Sequence, residues 1–182
     1  MENILKTETE IYDAMISIGE KSYVLFKDGK MTIRGSSLKG LHQPRVCDAF
    51  RDALCLAVFT KCNPHETFKQ FQDLTCFSVE DFQIRIYSSK VDYKKSTLYA
   101  KLVRQLASQG LRVIAGHSIE YVKAVDNYKP VLLFSDEDRI DYDYYKNRLA
   151  QIASRILAKP AKKLRELFGC GQQTLGVFQN EN

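Results

Sequence analysis

Residues 12–40 read "YDAMISIGEKSYVLFKDGKMTIRGSSLKG", and they decide how the fold begins. The stretch reads as three short β segments, at about 15–18, 22–26 and 31–34. Between the second and third lies "KDGK", residues 27–30, in which Asp-Gly is a strong hairpin signal because both residues accept a positive φ. Pro44 then opens a helical stretch to about Thr60, where Phe50, Leu54 and Val58 recur every fourth residue as one apolar stripe. Pro64 starts a second helix, with Phe68, Phe71 and Leu74 turned inward.

Further along, "DFQIRIYSSK" (81–90) alternates, with Phe82, Ile84 and Ile86 on one face and Gln83, Arg85 and Tyr87 on the other. That is the pattern of a half-buried strand. "STLYAKLVRQLASQG" (96–110) reads as a helix with Ser96 as N-cap, Leu98, Leu102 and Leu106 toward the core, and Gly110 as its stop. "LRVIAG" (111–116) and "SIEYVKAV" (118–125) read as strands around a turn at Gly116. The last long helix is "DYDYYKNRLAQIASRIL" (141–157), with acids at its N-terminal end and bases further on, as the helix dipole favours. Pro160 should break it. The fold class expected is α+β: an N-terminal β-hairpin followed by a mainly helical part with a small β element. There is no internal repeat.

The chain of 182 residues is 45% hydrophobic, enough for a real core, and no apolar run approaches the length of a membrane span. The N-terminal "MENILKTETE" is acidic and lacks an apolar signal core, so a cytoplasmic protein is expected. Five cysteines without a CxxC pair fit reduced thiols. The net charge is +5, and it is unevenly spread. Residues 146–165 hold seven basic side chains and no acidic one, residues 84–130 hold nine basic and three acidic, and residues 46–83 are net acidic. Segregated basic stretches suit a polyanion partner, or else solvated helix faces.

Little else carries chemistry. His42, His65 and His117 are scattered, and Cys62 with His65 is a lone CxxH without the second pair that a structural zinc site needs. No nucleophile elbow, P-loop or GxGxxG is present. Asp136, Glu137, Asp138, Asp141 and Asp143 cluster before a helix. Carboxylates there could hold magnesium, but N-terminal capping and dipole complementation is the preferred reading.

The N-terminal hairpin is more specific. Lys21, Tyr23, Lys27, Lys30, Arg34 and Lys39 are spaced along strands and turns, with Gly35, Ser36 and Ser37 between them. Small residues let a phosphate approach the backbone, hydroxyls and amides donate to it, and the cations neutralise it. Lys90, Lys94, Lys95 and Tyr99 extend this list of candidate DNA-binding residues. Near the end, "QQTLGVF" (172–178) is either a frayed terminus or a hook.

The order of these segments resembles family B DNA polymerases. Residues 12–40 resemble the end of the palm, where a strand with a Lys-Lys-x-Tyr element precedes a hairpin and a Gly-containing turn. "YKKSTLYAKLVRQLASQGLRVIAGHSIEYVKAV" (93–125) resembles the thumb, and "RIDYDYYKNRLAQIASRIL" (139–157) resembles the family's Ile-Asp-x-x-Tyr-Tyr helix. The resemblance implies that Lys21 and Tyr23 contact the primer–template duplex and that Arg34, Gly35, Ser36 and Lys39 touch the DNA backbone. Glu20 stands where the first Lys of the element belongs. It also implies a palm edge over 1–40, a thumb over 41–168 and a tail over 169–182.

The family's catalytic motifs, Asp-x-x-Ser-Leu-Tyr-Pro and Asp-Thr-Asp, do not occur, nor does the Lys-x-x-x-Asn-Ser-x-Tyr-Gly fingers signature. Phosphoryl transfer needs carboxylates that hold metals. The expectation is therefore a chain that does not polymerise alone, with no cofactor of its own and Mg2+ in a separate catalytic chain. This is similar to the small chain of a split archaeal family B polymerase, nucleoid-associated and without a membrane partner. In the tail, Gln172, Leu175 and Phe178 resemble a sliding-clamp motif, with Gln179 where a second aromatic is usual. Gln173, Leu175 and Phe178 equally resemble the shorter bacterial form. Two rival readings are a free-standing DNA-binding, clamp-interacting adaptor derived from a thumb, and a structural protein whose basic faces bind nothing.

Overall fold

Asp28 and Gly29 both take left-handed backbone, with φ of 49° and 74°. Two such residues in succession make the turn whose twist matches the strands it joins, and Lys27 and Lys30 pair directly across it. The chain is seen in a computed structural model that describes residues 11–19, 21–35, 43–88 and 96–169. It is α+β, with two three-stranded antiparallel sheets and a set of packed helices.

The first sheet runs β1 (Ala14–Gly19), β2 (Ser22–Lys27), β3 (Lys30–Arg34), in that order. Its register puts Val24 opposite Ile16 and Ile33, and Phe26 opposite Ala14 and Met31, on the face turned to the helices. Val24 is fully buried. Phe26 stacks on Phe59 with ring centroids 4.9 Å apart. Period-two alternation then leaves Met15, Leu25 and Thr32, and Ser17, Tyr23 and Arg34, in two rows on the other face.

Phe59 ends α1 (Arg45–Phe59), which packs against α2 (Pro64–Gln70) and α4 (Tyr142–Leu157). Asn63 caps α2 by accepting from the His65 amide at 3.1 Å, and Pro64 occupies a first-turn position that has no use for an N–H. Phe50 lies at the centre of the core. Its ring meets Phe68, Phe71 and Phe168 edge-on at 5.6, 5.2 and 5.4 Å. Phe168 reaches that position because α4 stops at Ala158, left-handed at φ 50°, and Pro160 opens α5 (Ala161–Glu166) in a new direction. The Gln72 side-chain amide donates to the Leu167 carbonyl at 2.8 Å and holds the returning end.

The second sheet is β4 (Ile84–Tyr87), β5 (Ser118–Lys123), β6 (Tyr128–Pro130), with β5 central and α3 (Leu98–Ser108) packed on it. Tyr145 ties this sheet to the helices. Its buried hydroxyl donates to the Phe82 carbonyl at 2.8 Å and accepts from the Lys123 amide at 2.9 Å. Asp141 caps α4 through the Tyr144 amide at 2.9 Å and lies 3.3 Å from the Lys123 ammonium. Ile140, Asp141, Tyr144 and Tyr145, the four positions of the polymerase-like helix motif, thus carry structural contacts.

Three local expectations are corrected. Residues 111–116 form no strand. Both edges of β5 are already taken by β4 and by β6, a short strand not expected from the sequence, which arrives through a tight turn closed by the Ala124 amide on the Asn127 carbonyl. No edge is left for 111–116. The cap of α3 is Thr97 rather than Ser96, its hydroxyl accepting from the Ala100 amide at 3.4 Å. Phe82 belongs to a 3-10 turn over Val79–Phe82 rather than to β4, yet is fully buried.

The thiols at Cys47 and Cys55 are buried in α1, and burial pushes both up to about 12. Cys62 and Cys76 are exposed. With iodoacetamide at mildly alkaline pH, Cys62 and Cys76 should alkylate in the native protein, and Cys47 and Cys55 only after unfolding. Peptide mass spectrometry reads this directly. Native labelling of Cys47 at the rate of Cys62 would contradict the packing of α1.

Candidate nucleic-acid interface

The register of the first sheet sorts the cations that the sequence offers. Tyr23 and Arg34 are directly opposite one another on β2 and β3, Lys21 immediately precedes β2, and Gly35 follows β3. These four residues meet at one end of the sheet. Lys27 and Lys30 flank the turn at the other end, about 13 Å away at the rise of a strand. The two ends differ electrostatically. At the turn, Asp13 and Asp28 accompany the lysines, and the Asp28 amide donates to the Asp13 carboxylate at 3.0 Å. At the opposite end, Lys21 and Arg34 are both exposed, and neither forms an ion pair with any described residue. A pair of cations without an ion pair among the described residues is the better partner for phosphate.

Gly35 shapes this end. Its φ is 89°, and a Cβ there would collide with the Lys21 carbonyl oxygen and the Ser22 hydroxyl and lie 2.6 Å from the Ser22 Cα. Only glycine lets β3 close onto the start of β2, which sets the Gly35 backbone against Lys21 and Ser22, next to the Tyr23–Arg34 pair. Ser17, on β1, is paired with Tyr23 and so joins the row Ser17, Tyr23, Arg34. Sequence reading passed over Ser17. Counting pairs outward from Asp28-Gly29 finds Tyr23 with Arg34, but the β1–β2 register shifts between Ser17 and Gly19, and no sequence signal marks that bulge.

Other candidates have different places. Tyr99 lies in the core, 5% exposed, with its hydroxyl donating to the His117 carbonyl at 3.2 Å, so its ring does not face solvent. Ser36, Ser37, Lys39, Lys90, Lys94 and Lys95 fall outside the described residues, as do Gln172, Gln173, Leu175 and Phe178. In the acidic stretch, the Lys129 ammonium at 2.6 Å, with the Ser135 amide and hydroxyl, holds the Asp138 carboxyl below its usual range. Among the described residues, no group of three or more His, Cys, Asp or Glu is placed to hold a metal ion. No described helix is long and apolar enough to cross a membrane.

The fold is similar to one part of a family B DNA polymerase. The similarity is to the family B DNA polymerase from the hyperthermophilic archaeon Pyrobaculum calidifontis, with a TM-score of 0.63 and 17% identity, over 80% of this chain and 21% of that one. The chain thus spans about a fifth of the polymerase it matches. No family model and no curated protein matches the sequence.

Proposed function

We propose that this chain is the small, thumb-bearing part of a family B DNA polymerase, gripping primer–template duplex while a separate chain supplies the catalytic carboxylates and Mg2+. The observation that carries this reading is the meeting of Lys21, Tyr23, Arg34 and Gly35 at one end of the first sheet, in a fold matching part of such a polymerase over 80% of the chain. The chain adds affinity and processivity rather than chemistry. Its grip is on phosphates and so is indifferent to base sequence. The tail, through Leu175, Phe178 and Gln172 or Gln173, tethers the assembly to a sliding clamp.

Two measurements test this. Replacing Lys21 and Arg34 together by Met should lower duplex affinity about tenfold and flatten the dependence of log K on log salt by about 1.8, two phosphate contacts at about 0.9 each. Salt titrations by fluorescence anisotropy check it; an unchanged slope would remove these residues from the interface. Co-purification from the native cell should bring down a large polymerase chain whose primer extension rises when this chain is added. DNA binding with no such chain and no gain in extension would instead identify an adaptor.

A further inference from the structure

Arg148, on α4, is half-buried and donates one hydrogen bond, from Nη1 to the Tyr144 hydroxyl at 3.1 Å, with its guanidinium carbon 5.8 Å from the Tyr144 ring centroid. Among the described residues it has no carboxylate partner. Nearby, Lys123 and Lys129 are matched by Asp141 at 3.3 Å and Asp138 at 2.6 Å. The groups close to Arg148 are the phenols of Tyr144 and Tyr121 and the buried thiol of Cys47, and burial pushes the Tyr121 phenol and the Cys47 thiol up to about 12. Tyr128 completes the surround, its ring 5.8 Å from Tyr121 and 6.3 Å from Tyr144.

A guanidinium has five N–H donors in a rigid fork, and among the described residues one is used, on Tyr144. A partly desolvated cation among phenols and a thiol lacks, among the described residues, the counter-charge that usually accompanies it. The Tyr144 hydroxyl accepts from Arg148 and also interacts with the Tyr128 hydroxyl, so it is held beside the guanidinium. A planar fork with an adjacent hydroxyl matches two or three oxygens of a tetrahedral oxyanion.

We infer that Arg148, with the Tyr144 hydroxyl beside it, is a binding site for one phosphate group. That group is either a DNA phosphodiester or a free phosphate. Only the choice of DNA rests on the function proposed above; the site itself rests on the unmatched guanidinium and the phenols around it. It is separate from the Lys21 and Arg34 end of the first sheet, and nothing in the chain's resemblance pointed to it.

The chain has ten tyrosines and no tryptophan, so ring-labelled tyrosine makes a clean probe. In NMR titrations of the full chain with inorganic phosphate and, separately, with a short DNA duplex, the Tyr144 and Tyr121 ring signals should shift saturably in at least one. In Arg148→Met that affinity should fall about tenfold. Arg148→Lys should recover part of it, keeping the charge but losing the fork. Tyr144→Phe keeps the ring and the fold and should cost about threefold. Should Arg148→Met fail to fold, Tyr144→Phe decides. A salt slope for duplex shallower by about 0.9 in Arg148→Met identifies DNA as the source. Loss of phosphate binding with an unchanged duplex slope identifies a free phosphate instead. Failure of the wild-type chain to bind duplex, with phosphate binding retained, would overturn the polymerase reading and leave this site standing. No saturable tyrosine shift with either probe, or unchanged affinity in both variants, would overturn the site.

Discussion

Phe50→Ala is expected to cost about 4 kcal/mol of folding stability, near the upper end for loss of a core aromatic. The ring is fully buried and touches three other rings, two at the end of α2 and one just past α5. Removing it loses the transfer free energy of the ring and three edge-on pairs, and leaves a cavity bounded by Phe68, Phe71 and Phe168. Phe168 is the sensitive neighbour, because α5 returns to the body through this ring and the Gln72 bond to Leu167. Denaturant unfolding should show the loss, and amide exchange should show the 161–169 segment opening before the remainder. A loss under about 1 kcal/mol would mean that α5 and the second helix collapse into the space, and that Phe50 is not the centre of this core.

Gly35→Ala should cost about 3 kcal/mol, from left-handed strain and from the displaced backbone that a Cβ would meet at Lys21 and Ser22. The matched control is Gly29→Ala. Gly29 also has positive φ, at 74°, but nothing lies within 4 Å of a Cβ there, so it carries only the conformational cost, about 1 kcal/mol. The difference between the two variants isolates the strand closure. Because the closure holds the Lys21 end of β2 against the Arg34 end of β3, Gly35→Ala should also weaken duplex binding under the proposed function, while Gly29→Ala should leave it unchanged. Equal effects of the two on stability and on binding would show that the Gly35 end of the sheet is not specially built.

Several elements were legible because their signals are local. The Asp28-Gly29 turn, the apolar stripe of Phe50 and Leu54, the stop at Gly110 and the break at Pro160 each depend on conformational preferences within a few residues. Phe68, Phe71 and Leu74, expected to face inward, are all buried. The site was less legible. Lys21, Tyr23, Lys27, Lys30 and Arg34 form an even series along the chain, and only strand register divides them into two ends with different neighbours. Tyr99 has the same composition signal as an exposed aromatic among lysines, and the phase of α3 turns it inward.

The sequence by itself determined the class of fold, the order of its elements and most of their boundaries, since turn chemistry and hydrophobic period are properties of the neighbouring residues. The tertiary structure alone decided which segment took the second edge of β5, how Phe168 came back to Phe50, which cations stood together at Gly35, and that Arg148 was left without a carboxylate among the described residues. Each of those outcomes is a competition among groups distant in the chain for one edge, one cavity or one counter-charge, and it is settled only when all the competitors are folded against each other.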